Sequence, residues 1–98
     1  MQVLNVFEIK PADNNGLHKT ILHKDAHFEM LLILLVKNHS IPTHASKTDA
    51  VLQLIEGKIS FTLEGTKHLL IAGDIISFGA GKQHSLVALE NSKFILTK

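Results

Sequence analysis

Apolar residues recur along this chain in short segments separated by turn-forming clusters, and no stretch keeps a helical repeat. The alternation is clearest from Lys58 to Leu63. There Ile59, Phe61 and Leu63 fall on one face of an extended strand and Lys58, Ser60 and Thr62 on the other, because successive strand side chains point in opposite directions. Val51 to Ile55 precedes this strand across Glu56-Gly57, and Lys67 to Ile71 follows it across Glu64-Gly65. Two-residue connections ending in glycine predict tight hairpins, so these three segments read as a meander. Met30 to Val36 is apolar at every position. Such a run suits either two helical turns or a strand buried on both faces, and its length and the following loop at Lys37 to Ser40 favour a strand. Further turn signals stand at Pro11 to Gly16, Ala72-Gly73-Asp74 and Gly79-Ala80-Gly81. Short strands punctuated this often predict an all-β sandwich or barrel with very little helix.

Length makes that barrel a single domain, residues 1–98. A chain of this size buries only about 60–65% of the surface that it exposes when unfolded, so a second copy is an economical source of extra burial. A homodimer is expected on that ground and from the Met30–Val36 run, which one barrel is not expected to cover fully. Charge adds little. Ten basic residues against nine acidic ones give a formal net charge of +1, and neither sign forms a block. Nucleic-acid partners are therefore not expected, nor is a charged membrane surface. The Met30–Val36 run is far below the roughly 20 residues needed to cross a bilayer, and the N-terminus lacks a basic segment followed by a long apolar one. Cysteine is absent, which excludes disulfides, thiolate catalysis and Cys-type zinc sites. A cytoplasmic protein fits these features.

From Asn38 to Ala88 the chain resembles the two-motif signature of the cupin superfamily. The family's first motif runs Gly, five residues, His-x-His, three or four residues, Glu, six residues, Gly. Asn38 falls at its opening glycine, His44 at its first histidine, Ser46 at its second, Ala50 at its glutamate and Gly57 at its closing glycine. The second motif runs Gly, five residues, Pro-x-Gly, two residues, His, three residues, Asn. Gly73 opens it, Gly79 replaces the proline, Gly81 and His84 match, and Ala88 replaces the asparagine. Asn38 is a mild departure, since asparagine tolerates positive φ better than most residues. The resemblance implies a single-domain jelly-roll β-barrel. It also implies pairing through the outer face of one sheet, with Val3 to Ile9 as the strand to be exchanged.

In metal-bearing members of this family the two histidines and the glutamate of the first motif and the histidine of the second bind one metal inside the barrel. Here His44 and His84 remain, while Ser46 offers a neutral hydroxyl and Ala50 offers nothing. Pleat parity lets positions 44, 46 and 50 face one cavity, with His84 arriving from a later strand. Asp49 and Gln53 have the opposite parity, and only a bulge would bring Asp49 inward. A stable metal site usually takes three or four protein ligands, so the plain reading makes His44 and His84 partly buried polar residues near the barrel mouth. Of the remaining histidines, His18, His23, His39 and His68 read as surface residues. His27 precedes the apolar run and is the one placed to approach the cavity. The five phenylalanines, spread one per segment, read as core packing.

Two functions follow. The first is a non-catalytic barrel binding a small organic ligand at His44, Ser46 and His84, with a partly lost metal site and no cofactor. The alternative is a cupin metalloenzyme of the oxygenase or isomerase class, with His44 and His84 as ligands to zinc, nickel, copper or iron. A sensory half of a transcription regulator is excluded by length, because the barrel uses the whole chain.

Overall fold

The computed structural model describes residues 3–10 and 16–98. Among these, nine strands form and no helix: β1 (Leu17–Lys24), β2 (Glu29–Leu35), β3 (Ser40–Ala45), β4 (Ala50–Glu56), β5 (Lys58–Leu63), β6 (Thr66–Ile71), β7 (Ile75–Phe78), β8 (Gln83–Ala88) and β9 (Ser92–Thr97). They make two antiparallel sheets, in the orders β1-β2-β9-β4-β7 and β3-β8-β5-β6. The alternation read at Lys58 to Leu63 is realised, with Ile59 and Phe61 fully buried. These two meet Leu31, Ile33 and Leu35 of β2, Leu52 and Leu54 of β4, Leu86 and Ala88 of β8, and Phe94 of β9 in one core between the sheets. The all-β jelly-roll expectation holds.

The meander is only half right. β5 and β6 pair across Glu64-Gly65, whose residues both take positive φ (47° and 82°), as a tight hairpin turn requires. β4 and β5, by contrast, lie in different sheets. Glu56-Gly57 is a corner that carries the chain across the sandwich. Gly57 has φ 96°, and a Cβ on it would run into Ser92 and the Asn91 carbonyl, so no other residue fits without displacing backbone. A hairpin and a corner share the same glycine-ended text, and only partner choice separates them.

β2 is indeed a strand buried on both faces, and it achieves this within one chain. Leu31, Ile33 and Leu35 enter the core, while Leu32 and Leu34 point outward and are still buried. Over that outer face lies the N-terminal segment, where Phe7 and Ile9 border a groove with Leu34 and Lys93. Lys93 donates from Nζ to the Val6 carbonyl (2.6 Å) and pairs with Glu56 (3.2 Å). Val3 to Ile9, the segment expected as an exchangeable strand, forms a turn at residues 6–8 and no strand. The apolar run that suggested a second copy is thus covered from within. The turn expected at Pro11 to Gly16 lies largely outside the described residues.

Candidate functional site

Each site residue is placed by a local feature of its strand. Asn38 takes φ 73°, the left-handed conformation expected where the family has glycine, and turns the chain from β2 into β3. Between Ile41 and His44 the β3–β8 register slips by one residue. The slip is a bulge at Pro42-Thr43 on an edge strand, where a proline costs no ladder bond. It lets Ile41 pack against the core and still turns His44 toward the cavity. His44 then pairs directly with His84 of β8, and their ring centroids lie 4.2 Å apart at a 59° tilt. Residues forty positions apart in sequence become cross-strand neighbours.

Both rings are tethered in the same way. His44 Nδ1 is 2.9 Å from the Pro42 carbonyl oxygen, and His84 Nδ1 is 2.9 Å from the Lys82 carbonyl oxygen. A carbonyl only accepts, so each Nδ1 carries the proton and donates it, leaving Nε2 as a lone-pair acceptor in the neutral ring. His84 is buried, beside Phe78 (4.5 Å between centroids) and stacked over Phe61 (5.8 Å, 11°). That burial lowers its pKa below the ordinary imidazole value; the Lys82 carbonyl opposes the shift and the neighbouring His44 adds to it. His44 stands exposed at the rim.

A cavity of about 470 Å³ opens outward from the pair, lined among others by His44, Ser46, Ala50, Phe78, His84 and Leu96. A smaller one of about 90 Å³ continues inward past the same rings to Phe61, Leu86 and Phe94. The three expected site residues are therefore brought together. Positions 46 and 50 do not share a strand, however, because β3 ends at Ala45 and β4 begins at Ala50. Ala50 faces inward through the β4 register with Leu52 and Leu54, and Ser46 sits in the intervening turn, where its Oγ accepts the Thr48 N–H (3.3 Å). Asp49 points elsewhere, as its parity required: its Oδ1 accepts the Ala80 N–H (2.9 Å) and holds the Gly79 turn. Gln53 is paired with Ile75 and Ile95 on the outer side of its sheet.

The structure adds two residues read from sequence as core packing, Phe78 and Phe28, and places His27 at the cavity wall as expected. Phe78 lines the cavity because it is the cross-strand partner of Ala50, a register that no text around it announces. His27 and Phe28 reach the cavity wall from the β1–β2 turn. That turn is fastened by Asp25, whose Oδ1 accepts the N–H groups of His27 (2.7 Å) and Phe28 (3.0 Å) and whose Oδ2 accepts from His23 (2.8 Å). The His23 bond and the two backbone bonds lower the Asp25 pKa to about 2. Lys24 and Lys98 flank Glu29 at the same rim (3.5 and 3.9 Å).

No family model matches the chain. A cupin superfamily protein from Desulfitobacterium hafniense superposes with a TM-score of 0.90 at 16% identity, covering 99% of this chain and 89% of that one. This chain has the cupin fold. A conserved protein of unknown function from Streptococcus pyogenes gives 0.87 at 22% identity over 98% and 84%, and KdgF from a Halomonas species gives 0.84 at 21% over 99% and 91%. At such identities the likeness concerns fold alone. Among curated proteins, quercetin 2,3-dioxygenase from Bacillus subtilis is 37% identical over 59 residues, which is 59% of this chain but only 18% of the dioxygenase. The chain thus spans about a fifth of that relative.

The donor set departs from the family's metal site. Among the described residues, no three His, Cys, Asp or Glu side chains stand together as a metal would need. Two imidazoles and a hydroxyl already bound to its own turn supply no anion to offset the lost hydration of a divalent ion. Nor is any described helix long and apolar enough to cross a membrane.

Proposed function

We propose that this cupin is a small-molecule-binding barrel, cytoplasmic and non-catalytic, that receives an organic ligand at His44 and His84. The observation that carries the reading is the pairing of two tethered imidazoles with an apolar wall. Ala50, Phe78 and Leu96 line a cavity of about 470 Å³, within the usual range for ligand pockets of about 300–1,000 Å³. Convergent polar groups in a largely apolar concavity are the mark of such sites. Ala50, standing where the family's metal site has glutamate, leaves room for a ligand and no charge to hold an ion.

The metalloenzyme reading has one observation in its favour. Metal-bound imidazoles commonly donate the other ring N–H to a backbone carbonyl, as both rings do here. The two readings separate in one experiment. Methyl signals of Ala50 and Leu96 are followed by NMR while 4-methylanisole is added to untagged protein whose metal content has been measured. The binding barrel predicts saturable shifts at both residues, the Leu96 shift being lost in Ala50→Phe, with no stoichiometric metal and no change in melting temperature on adding EDTA. Stoichiometric zinc, nickel, copper or iron, with a fall in melting temperature on chelation that His44→Ala removes, would install the metalloenzyme in its place.

A further inference from the structure

His84 is 5% exposed, and its one hydrogen bond runs from Nδ1 to the Lys82 carbonyl. Nevertheless, the described residues include no enclosed side-chain nitrogen or oxygen without a partner. The small exposed area of His84 therefore includes Nε2, which opens on the cavity as an unmatched acceptor. His44 repeats the arrangement 4.2 Å away, with its Nδ1 given to Pro42. The site thus presents a buried lone pair on His84 and a second imidazole at its exposed rim.

That pattern discriminates among ligands. A carboxylate or phosphate brings only acceptors and meets a lone pair. A ligand ammonium brings donors, but it must pass the charges at the rim. There Asp25 is engaged by His23 and two backbone N–H groups, and Glu29 by Lys24 and Lys98. Lys47 and His27 add to the basic side of the outer cavity, and Lys19 to that of the inner one. With neutral imidazoles the outer rim carries three lysines against two carboxylates, which opposes a cation. What remains is an uncharged donor, and the flat aromatic surface of Phe78 beside His84 suits a ring that carries it.

Resting on the binding-barrel reading, we propose that the buried imidazole of His84 selects a small hydroxyl-bearing arene in its un-ionised form. The hydroxyl donates its one hydrogen to the buried Nε2 of His84, and the ring lies against Phe78 and Leu96. An arene lacking the hydroxyl leaves the buried Nε2 of His84 without a donor, which is where discrimination by hydrogen bonding becomes large.

The test compares 4-methylphenol with 4-methylanisole, which differ by replacement of the hydroxyl hydrogen with a methyl group. A phenol of this kind keeps its proton near neutral pH, as the tyrosine side chain does with a pKa of about 10. Affinities are measured by NMR titration of native protein, His84→Phe and His44→Phe; the second variant alters an exposed ring and leaves the His84 acceptor in place. Native protein is expected to prefer the phenol by about tenfold, the equivalent of one net hydrogen bond of about 1.4 kcal/mol, His84→Phe to lose most of that preference, and His44→Phe to keep it. Equal affinity of native protein for the two probes would overturn the donor selection while leaving the binding barrel intact, as would a preference that survives in His84→Phe. If neither probe binds, both readings fall.

Discussion

The two ends of the barrel treat their polar groups in opposite ways. At the end carrying Gly57, the Ser92 hydroxyl accepts the Lys58 N–H (3.1 Å) and faces the Glu90 and Lys58 carbonyls (2.8 and 3.2 Å). Lys37 donates to the Asn91 side chain, Asn38 to the Ala88 carbonyl, and Lys93 to Val6 while pairing with Glu56. Partners lie within hydrogen-bond reach throughout, as buried polar groups require. At the mouth, His84 is as deeply buried as Ser92 and Lys93, yet half of its hydrogen-bonding capacity faces a cavity. Burial alone does not distinguish a structural polar residue from a functional one. The distinction lies in whether its partners have been supplied by the protein.

The largest expected effect falls at the satisfied end. Gly57→Ala forces a side chain onto a backbone at φ 96° and into Ser92. The left-handed penalty and overpacking together should cost about 2–5 kcal/mol, read as a drop in the urea midpoint. A loss below 1 kcal/mol would show that the corner shifts freely and that this end is not the rigid one. Next comes Lys93→Ala, which leaves the Val6 carbonyl and Glu56 without their partner and should cost about 1–3 kcal/mol. It should also release the N-terminal segment from Leu34, read as faster amide exchange along β2.

The smallest effect belongs to the mouth, and its sign is the informative part. Burial holds the His84 pKa below 6.5, so on acidification the unfolded chain takes up a proton before the folded one. Stability from this residue is therefore complete above pH 6.5 and falls as the pH drops through the interval down to the folded pKa. His84→Phe should cost about 0.5–1.5 kcal/mol at pH 7.5, the net worth of the lost Nδ1–H bond to the Lys82 carbonyl, because the Nε2 acceptor that it also replaces had no protein partner. Urea melts at pH 7.5 and 5.5 should show the native protein losing more stability than the variant. An equal loss in both would place the acid sensitivity elsewhere.

Much of this was legible beforehand. Ile59, Phe61 and Leu63 alternate, and the β5–β6 hairpin announces itself in Glu64-Gly65. Spacing put His44, Ser46, Ala50 and His84 around one cavity and kept Asp49 out of it. Phe78 was not legible as a cavity residue, because its role comes from facing Ala50 across two strands. The corner at Gly57 was misread as a hairpin, since a glycine supplies positive φ to either.

The sequence by itself determined what depends on neighbours along the chain: strand periodicity, the left-handed turn at Asn38, and the loss of ligand chemistry at Ser46 and Ala50. Those follow from pleat geometry, backbone sterics and side-chain composition, each of which acts over a few residues. The tertiary structure decided which sheet each strand joined, that the N-terminal segment would lie beside Leu34, and that both imidazoles would turn Nδ1 to a carbonyl at the wall of one cavity. These are matters of register and packing between distant segments, and a one-residue bulge such as that at Pro42-Thr43 is enough to turn a side chain from one face to the other.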